Sequence, residues 1–471
     1  MTGRQLTRSA LARSRGIAAT RPPARIVHIG LGAFHRAHQA WYTARATDSE
    51  EWGIAAFAGR GAELAHHLAG QDGLFTLVER GPEGDRFEIV DSIVEAHAGS
   101  DAPALLAAVA AASTAVVTLT VTEGGYCLDP TGALDLAHPG VAADLARLRG
   151  AVPGPCETTP GRLVAGLRER RRLGAGPLAI VPCDNFPDNG GALRRALIRL
   201  AGETDPGLAD WISASVSFVS TSVDRITPRV GPELVAEVAA TTGWRDVAPV
   251  AAEPFADWTL SGAFPAGRPD WESAGARFVD EIEPYEARKL WLLNGAHTLL
   301  AALGRLRGHD TVAYAMADPE CARAVERWWD EAERQLPDGL GVDAYRAALR
   351  ERFANPRIEH RLEQIASDAL TKLSLRIAPV ARAERRSGRT ADGAALAIAA
   401  WIAAVRRGLA GEDTRDAEIA VAASASDSVT ALLRAIDPQL ASDAELCGRI
   451  SSLTGGPELS TAAAEWRLGR S

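Results

Sequence analysis

After Pro22-Pro23 the chain runs apolar through Ile26-Val27-His28-Ile29, turns at once on Gly30-Leu31-Gly32 and enters a helical pattern near Phe34. A short apolar run bounded by glycine is the pattern of a buried strand. Similar runs recur at 53–57, 74–79, 86–93, 115–121, 178–182 and 216–223, with Gly81-Pro82-Glu83-Gly84 turning the second of these into the third. Helical spacing, as between Pro103 and Ala112, separates most of them, and strands alternating with helices predict an α/β fold with a parallel sheet covered on both faces. Beyond about Phe278 the strand signals fade. Alanine, leucine and arginine at helical spacing take over in 319–336, 344–353, 360–369, 393–410 and 427–435. The first of these opens on Asp318-Pro319, an N-cap residue followed by proline at the first helical position. Two domains are expected: 1–277, built on the sheet, and 278–471, mainly α-helical.

Composition narrows the function classes. With 46% hydrophobic and 24% charged residues in 471, the chain is an ordinary globular protein, and its net charge of −9 argues against a nucleic acid or an anionic membrane as partner. Small molecules are the expected partners. Five cysteines lie scattered with no Cys-x-x-Cys pair, which signals neither a disulfide framework nor a cysteine zinc site and fits a reducing cytoplasm. No apolar run is long enough to cross a bilayer. The opening stretch, rich in arginine, serine and threonine with no acidic residue before Asp48, reads as an arm packed on the first domain, with an organellar transit peptide as the alternative.

Several strand ends carry polar residues. Gly30-x-Gly32 begins a dinucleotide fingerprint, in which glycines allow a tight turn and close approach of a pyrophosphate. His35 stands where the third glycine is expected. Glu63 is a candidate acceptor for the ribose hydroxyls and Arg60 a candidate partner for a 2′-phosphate, so NAD and NADP both stay open. Thr120-Val121-Thr122-Glu123, Cys183-Asp184-Asn185 and Ser222-Val223-Asp224-Arg225 end further strands, where ligands of open α/β sheets gather. Asn189-Gly190 reads as a turn, and Asp224-Arg225 equally as a structural ion pair. His35 and His38 could share a metal, but no further ligand follows at a diagnostic spacing, and no metal is expected. Neither a Gly-x-Ser-x-Gly elbow nor a Walker loop occurs, which weakens hydrolase and phosphoryl-transfer readings.

The scarcest residue is the most telling. Of 51 basic residues only Lys289 and Lys372 are lysine. An ammonium titrates near neutral pH when desolvated and a guanidinium does not, so Lys289 is a candidate general base. On an α-helix, Glu286, His297 and Asn294 fall about 60°, 80° and 140° around from it, one broad sector. The leucines at 290, 292, 293, 299 and 300 predict that this helix is largely buried.

Taken together, the segments 30–39, 118–126, 183–185, 223–228, 253–255 and 289–297 resemble the mannitol dehydrogenase family of zinc-independent polyol dehydrogenases, in the family's order and across about 26–376. The resemblance implies a Rossmann-like N-terminal domain, a helical C-terminal domain and a site between them. It implies that NAD, with NADP open, is held by Ile29, Gly30, Leu31, Gly32, Ala33 and Phe34 together with Glu63, Thr122 and Glu123. It assigns catalysis to Lys289, Asn294, His297 and Asn185, substrate contacts to Asp224 and Lys372, and a proton relay to Glu286. The implied reaction is reversible oxidation of a polyol secondary alcohol, D-mannitol to D-fructose first, with D-mannonate and D-fructuronate as the alternative pair. For that pair Lys372, Arg376 or Arg225 is the candidate carboxylate partner. The family's Asp-Gly-Ser segment is replaced here by Asp368-Ala369-Leu370 ahead of Lys372. A dinucleotide-binding sensor without turnover is the reading from another class.

Overall fold

The computed structural model describes residues 3–456 and 459, apart from 60 and 153. It divides into two compact units, Met1–Ile282 and Glu283–Ser471. The division falls after 282 rather than after 277, because the short strand Arg277–Phe278 pairs within the first unit and Val279 N donates to Leu260 O.

Six strands form the main sheet of the first unit: β1 Ala24–Ile29, β2 Gly53–Phe57, β3 Ile93–His97, β4 Val116–Leu119, β5 Leu178–Pro182 and β6 Val216–Phe218. Their order is β3-β2-β1-β4-β5-β6 and every pairing is parallel. This is the doubly wound order in which the connections reverse direction between β1 and β4. Alternate residues serve opposite faces: Ile26, Ile54, Val116 and Ala179 join one core, and Val27, Ala55, Val117 and Ile180 the other. Burial on both faces is why these strands read as unbroken apolar runs.

Two expected strands divide. The run 86–93 ends its pairing at Val90 and a new strand, β3, starts at Ile93 in the main sheet. The run 216–223 becomes β6 and then β7, Ser220–Asp224, which leaves the main sheet to pair antiparallel with β8, Asp257–Ser261. Alternation cannot register such a change of partner, because both pieces are equally apolar. Asn189-Gly190 is not a turn. Asp188 caps a helix that begins at Asn189, and Asn189 is buried, exchanging hydrogen bonds with the Thr221 backbone.

The N-terminal arm packs on the first unit. Arg4–Gln5 pairs in parallel with Trp244–Arg245, Thr7 caps the helix Arg8–Arg15, and Arg8 Nη2 donates to Ile93 O at 2.9 Å.

The second unit is helical throughout its named elements. Its helices Pro319–Glu333, Val342–Phe353, Asp392–Arg406 and Ser428–Ile436 match the expected periods to within a few residues. The exception is 360–369: only Leu362–Ala366 is helical there, and a new helix, Ala369–Arg376, follows Asp368 at φ +50°. Among the described residues no helix is long and apolar enough to cross a membrane.

Candidate active site

In the first unit the Gly30-Leu31-Gly32 turn leaves β1 beside the switch between β1 and β4. Gly30 N and Leu31 N both donate to Phe57 O at 2.9 Å, which folds the turn back over β2. Gly30 is required there: its φ is +112°, and a Cβ would lie 2.3 Å from Thr120 O. At Gly32 a Cβ would meet only Gly30 O, at 3.5 Å, so the backbone presents an open surface. An open glycine backbone at the switch point fits a dinucleotide pyrophosphate. His28 braces the floor from below, its Nδ1 2.8 Å from Thr118 Oγ1 and its Nε2 3.1 Å from Thr120 Oγ1. The following helix is short, Ala33–Ala37, and breaks at His38 before resuming at Gln39. Ile29 and Leu31 are buried, while Ala33 and Phe34 are half-buried. Thr122 and Glu123 are exposed just past β4, and Glu63 is exposed at the start of its helix. Arg60 lies outside the described residues.

Past β5, the exposed Asn185 follows an anchored residue. Asp184 accepts from the Tyr126 hydroxyl and, through its other oxygen, from Phe186 N at 3.0 Å, and the Tyr126 and Phe186 rings stack. Asp224 ends β7 and is buried. Its neighbour Arg225 is spoken for: it pairs with Glu79 at 2.6 Å, donates to Ala37 O and Glu253 O, and lies over the Trp41 ring. The Asp224-Arg225 ion-pair reading is thereby replaced by an Arg225–Glu79 pair, which removes Arg225 as a carboxylate receptor.

The second unit holds both lysines. Glu286 and the buried Arg288 belong to the helix Glu283–Arg288. The chain then winds as a π-helix over Lys289–Gly295 before returning to an α-helix at Ala296–Leu306. This corrects the α-helical projection. A π turn closes from residue i to i+5, which carries Asn294 round to the side of Lys289, whereas α spacing leaves it about 140° away. Burial is also less than expected on this stretch, since Lys289, Leu290 and Trp291 are half-buried. π-Turns are rare and concentrate at functional sites.

His297, one turn on, is buried. Burial above all, then the nearby His360 ring and the positive charges of Arg352, Arg376 and Lys372, holds its pKa well below the usual imidazole value. It is a neutral ring at pH 7, packed against Phe353 at 4.7 Å and edge-on to His360, and among the described residues its Nε2 has no hydrogen-bond partner. Lys372 is largely occupied, its Nζ donating to Ile365 O at 3.0 Å and Ser367 O at 2.5 Å. Asp368, which replaces the start of the family's Asp-Gly-Ser segment without its glycine, is pinned by Thr414 N at 3.0 Å. Arg352, His360 and the tryptophans 328 and 329 were not singled out by sequence reasoning. Nothing in their local spacing marks them, because their relation to Lys289–His297 exists only through helix packing.

A second cluster, His309, Asp318 and Cys321, offers ligand atoms within 4.8 Å of one another. Asp318 already binds Arg307 and His309 and caps the helix Pro319–Glu333, which makes it a packing node.

A doubly wound sheet with an open glycine turn at its switch point is the architecture of a dinucleotide-binding domain. The matching family models are the mannitol dehydrogenase Rossmann domain over 24–273 and the mannitol dehydrogenase C-terminal domain over 281–451. The chain belongs to the mannitol dehydrogenase family, and it is an NAD(P)-dependent oxidoreductase acting on CH–OH groups. It is 39% identical to D-mannonate oxidoreductase of Escherichia coli over 81% of this chain and 80% of that one. It is 36% identical to mannitol 2-dehydrogenase of Cereibacter sphaeroides, over 80% of each. Among solved structures it is similar to Pseudomonas fluorescens mannitol 2-dehydrogenase in ternary complex with NAD and D-mannitol, with a TM-score of 0.75 and 33% identity over 93% of this chain and 92% of that one.

Proposed function

We propose that this protein reversibly oxidises a secondary alcohol of an acyclic six-carbon sugar derivative, with NAD as hydride acceptor and Lys289 as general base. Two substrate pairs fit that chemistry: D-mannitol with D-fructose, and D-mannonate with D-fructuronate. The observation that carries the reading is the placement of Lys289 and Asn294 on a single π-helical segment with the neutral His297 directly after it.

Lys289 Nζ takes the hydroxyl proton as the carbinol C–H bond gives up its hydride, and Glu286, three residues earlier, passes that proton towards solvent. When bound, NAD accepts the hydride; Ile29 to Phe34, Glu63, Thr122 and Glu123 are the residues proposed to hold it. The Asn294 amide donates to the developing alkoxide in the manner of an oxyanion hole. His297, neutral and with an unpartnered nitrogen, orients the substrate hydroxyl or the lysine. Asn185, exposed past β5, keeps the role of a second amide donor, and Asp224 and Lys372 that of substrate contacts. No metal enters the scheme. A cytoplasmic location accords with five free cysteines.

The test is oxidation of NADH and NADPH by purified protein with D-fructose and D-fructuronate in parallel. Turnover with NADH and either ketose supports the reading. NADH binding without turnover of any ketose or polyol would favour a dinucleotide sensor instead.

A further inference from the structure

Arg376 ends the helix Ala369–Arg376 and is half-buried, and its surroundings differ from those of the buried Arg170, Arg225 and Arg288. Arg225 is paired with Glu79, and Arg170 spends its guanidinium on backbone carbonyls including Val109 O, Thr114 O and Gly176 O. Arg288 donates to Leu340 O and lies over the Tyr345 ring. Arg376 uses one nitrogen: Nη1 donates to Asn294 O at 3.3 Å and to Thr298 Oγ1 at 3.2 Å. Its Nε and Nη2 have no acceptor, and no carboxylate pairs with it, among the described residues. Burial pushes its pKa down to about 10, the response of a cation that lacks a counter-charge.

Lys372, one turn earlier on the same helix, shares its sign. The permanent charges that act on His297 are those of Arg352, Arg376 and Lys372, all positive. In a chain of net charge −9, this concentration of cations beside Asn294 and His297 is a local inversion. Of the three basic residues eligible for a substrate carboxylate, Arg225 is consumed by Glu79, and Lys372 gives two of its three N–H groups to carbonyls. Arg376 keeps Nε and Nη2 to give, against one remaining N–H on Lys372, and a guanidinium edge matches a carboxylate bidentately.

We propose that Arg376 is the substrate-carboxylate receptor, so that the physiological pair is an aldonate and its keto-uronate rather than a hexitol and its ketose. This rests on the dehydrogenase reading above and adds the end group of the substrate.

The experiment compares kcat/KM of the full chain with NADH for D-fructuronate, D-fructose and D-fructose 6-phosphate, in the wild type, Arg376→Met and Arg376→Lys. D-Mannonate binding is measured alongside by calorimetry in the presence of NADH. The wild type is expected to favour fructuronate over fructose by about 10²-fold. Arg376→Met should lower that ratio by a similar factor, mostly through KM, and Arg376→Lys should recover part of it. A wild type that prefers fructose or fructose 6-phosphate overturns the proposal, and so does an unchanged ratio in Arg376→Met. Should that variant fail to fold, the wild-type ratio and Arg376→Lys decide. Silence with every ketose would remove the dehydrogenase reading, yet the receptor would still stand if mannonate binds and Arg376→Lys weakens it at least about tenfold, and would fall if mannonate does not bind.

Discussion

The indole Nε1 of Trp328 donates to the carbonyl oxygen of Trp291 at 2.8 Å, in the middle of the π-helical segment that carries Lys289 and Asn294. Its neighbour Trp329 does the same for Leu292 O, also at 2.8 Å. Passing from α to π winding leaves backbone carbonyls without their usual partner, and an unpaired buried carbonyl is costly. Two consecutive indoles on a packed helix supply the missing donors. Gly295 makes room for this, since a Cβ there would lie 2.6 Å from the Trp328 ring.

Trp328→Phe keeps most of the ring and removes the donor. The expected cost is about 1–3 kcal/mol of stability, the penalty for an unsatisfied buried group. Turnover should fall further than substrate or NADH affinity, because the π turn sets where Lys289 and Asn294 stand. Urea unfolding and steady-state kinetics check both, and unchanged kcat would show that the segment holds its winding without the indole.

Lys289→Ala should lower kcat about 10²- to 10⁴-fold, the range for loss of a general base, with NADH binding retained in a fluorescence titration. Near-normal turnover would remove Lys289 from the mechanism.

Gly30→Ala places a methyl against the Thr120 backbone at a φ of +112°, both unfavourable for alanine. A stability loss of about 1–3 kcal/mol together with weakened NADH binding is expected. Gly32→Ala, at an extended backbone position with open space, should spare stability and affect NADH binding alone. Equal stability losses in the two variants would contradict this assignment.

Stability should fall as the solution turns acid. Burial lowers His28 to about 3 and holds His35 and His297 well below the usual value near 6.5. The unfolded chain therefore binds more protons below that value than the native one. The sign follows: the contribution is fully present above about pH 6.5 and is lost as pH falls towards the native values, by up to about 1.4 kcal/mol per pH unit for each ring. Unfolding free energies at pH 5, 6 and 7.5 measure the slope. His28→Gln should make it shallower, and an identical slope would exclude His28 as a contributor.

Some of the architecture was legible along the chain because it is local. Short apolar runs located the main strands, and the alanine- and leucine-rich periods located the second unit's helices. The rarity of lysine pointed to Lys289, and Gly30-Leu31-Gly32 pointed to the dinucleotide turn. A 3.6-residue period could not report the π winding at Lys289–Gly295. That winding depends on two indole donors about 37 positions further along the chain, which only helix packing delivers.

Residue type and spacing determined the family, the sheet class and the names of the candidate catalytic groups. Tertiary structure decided what each cation is for, because that depends on the partners a fold brings to it. As sequence, Arg225, Lys372 and Arg376 are equally eligible partners for a carboxylate. Packing gave Glu79 to the first and carbonyls to the second, and left the third with donors to spare.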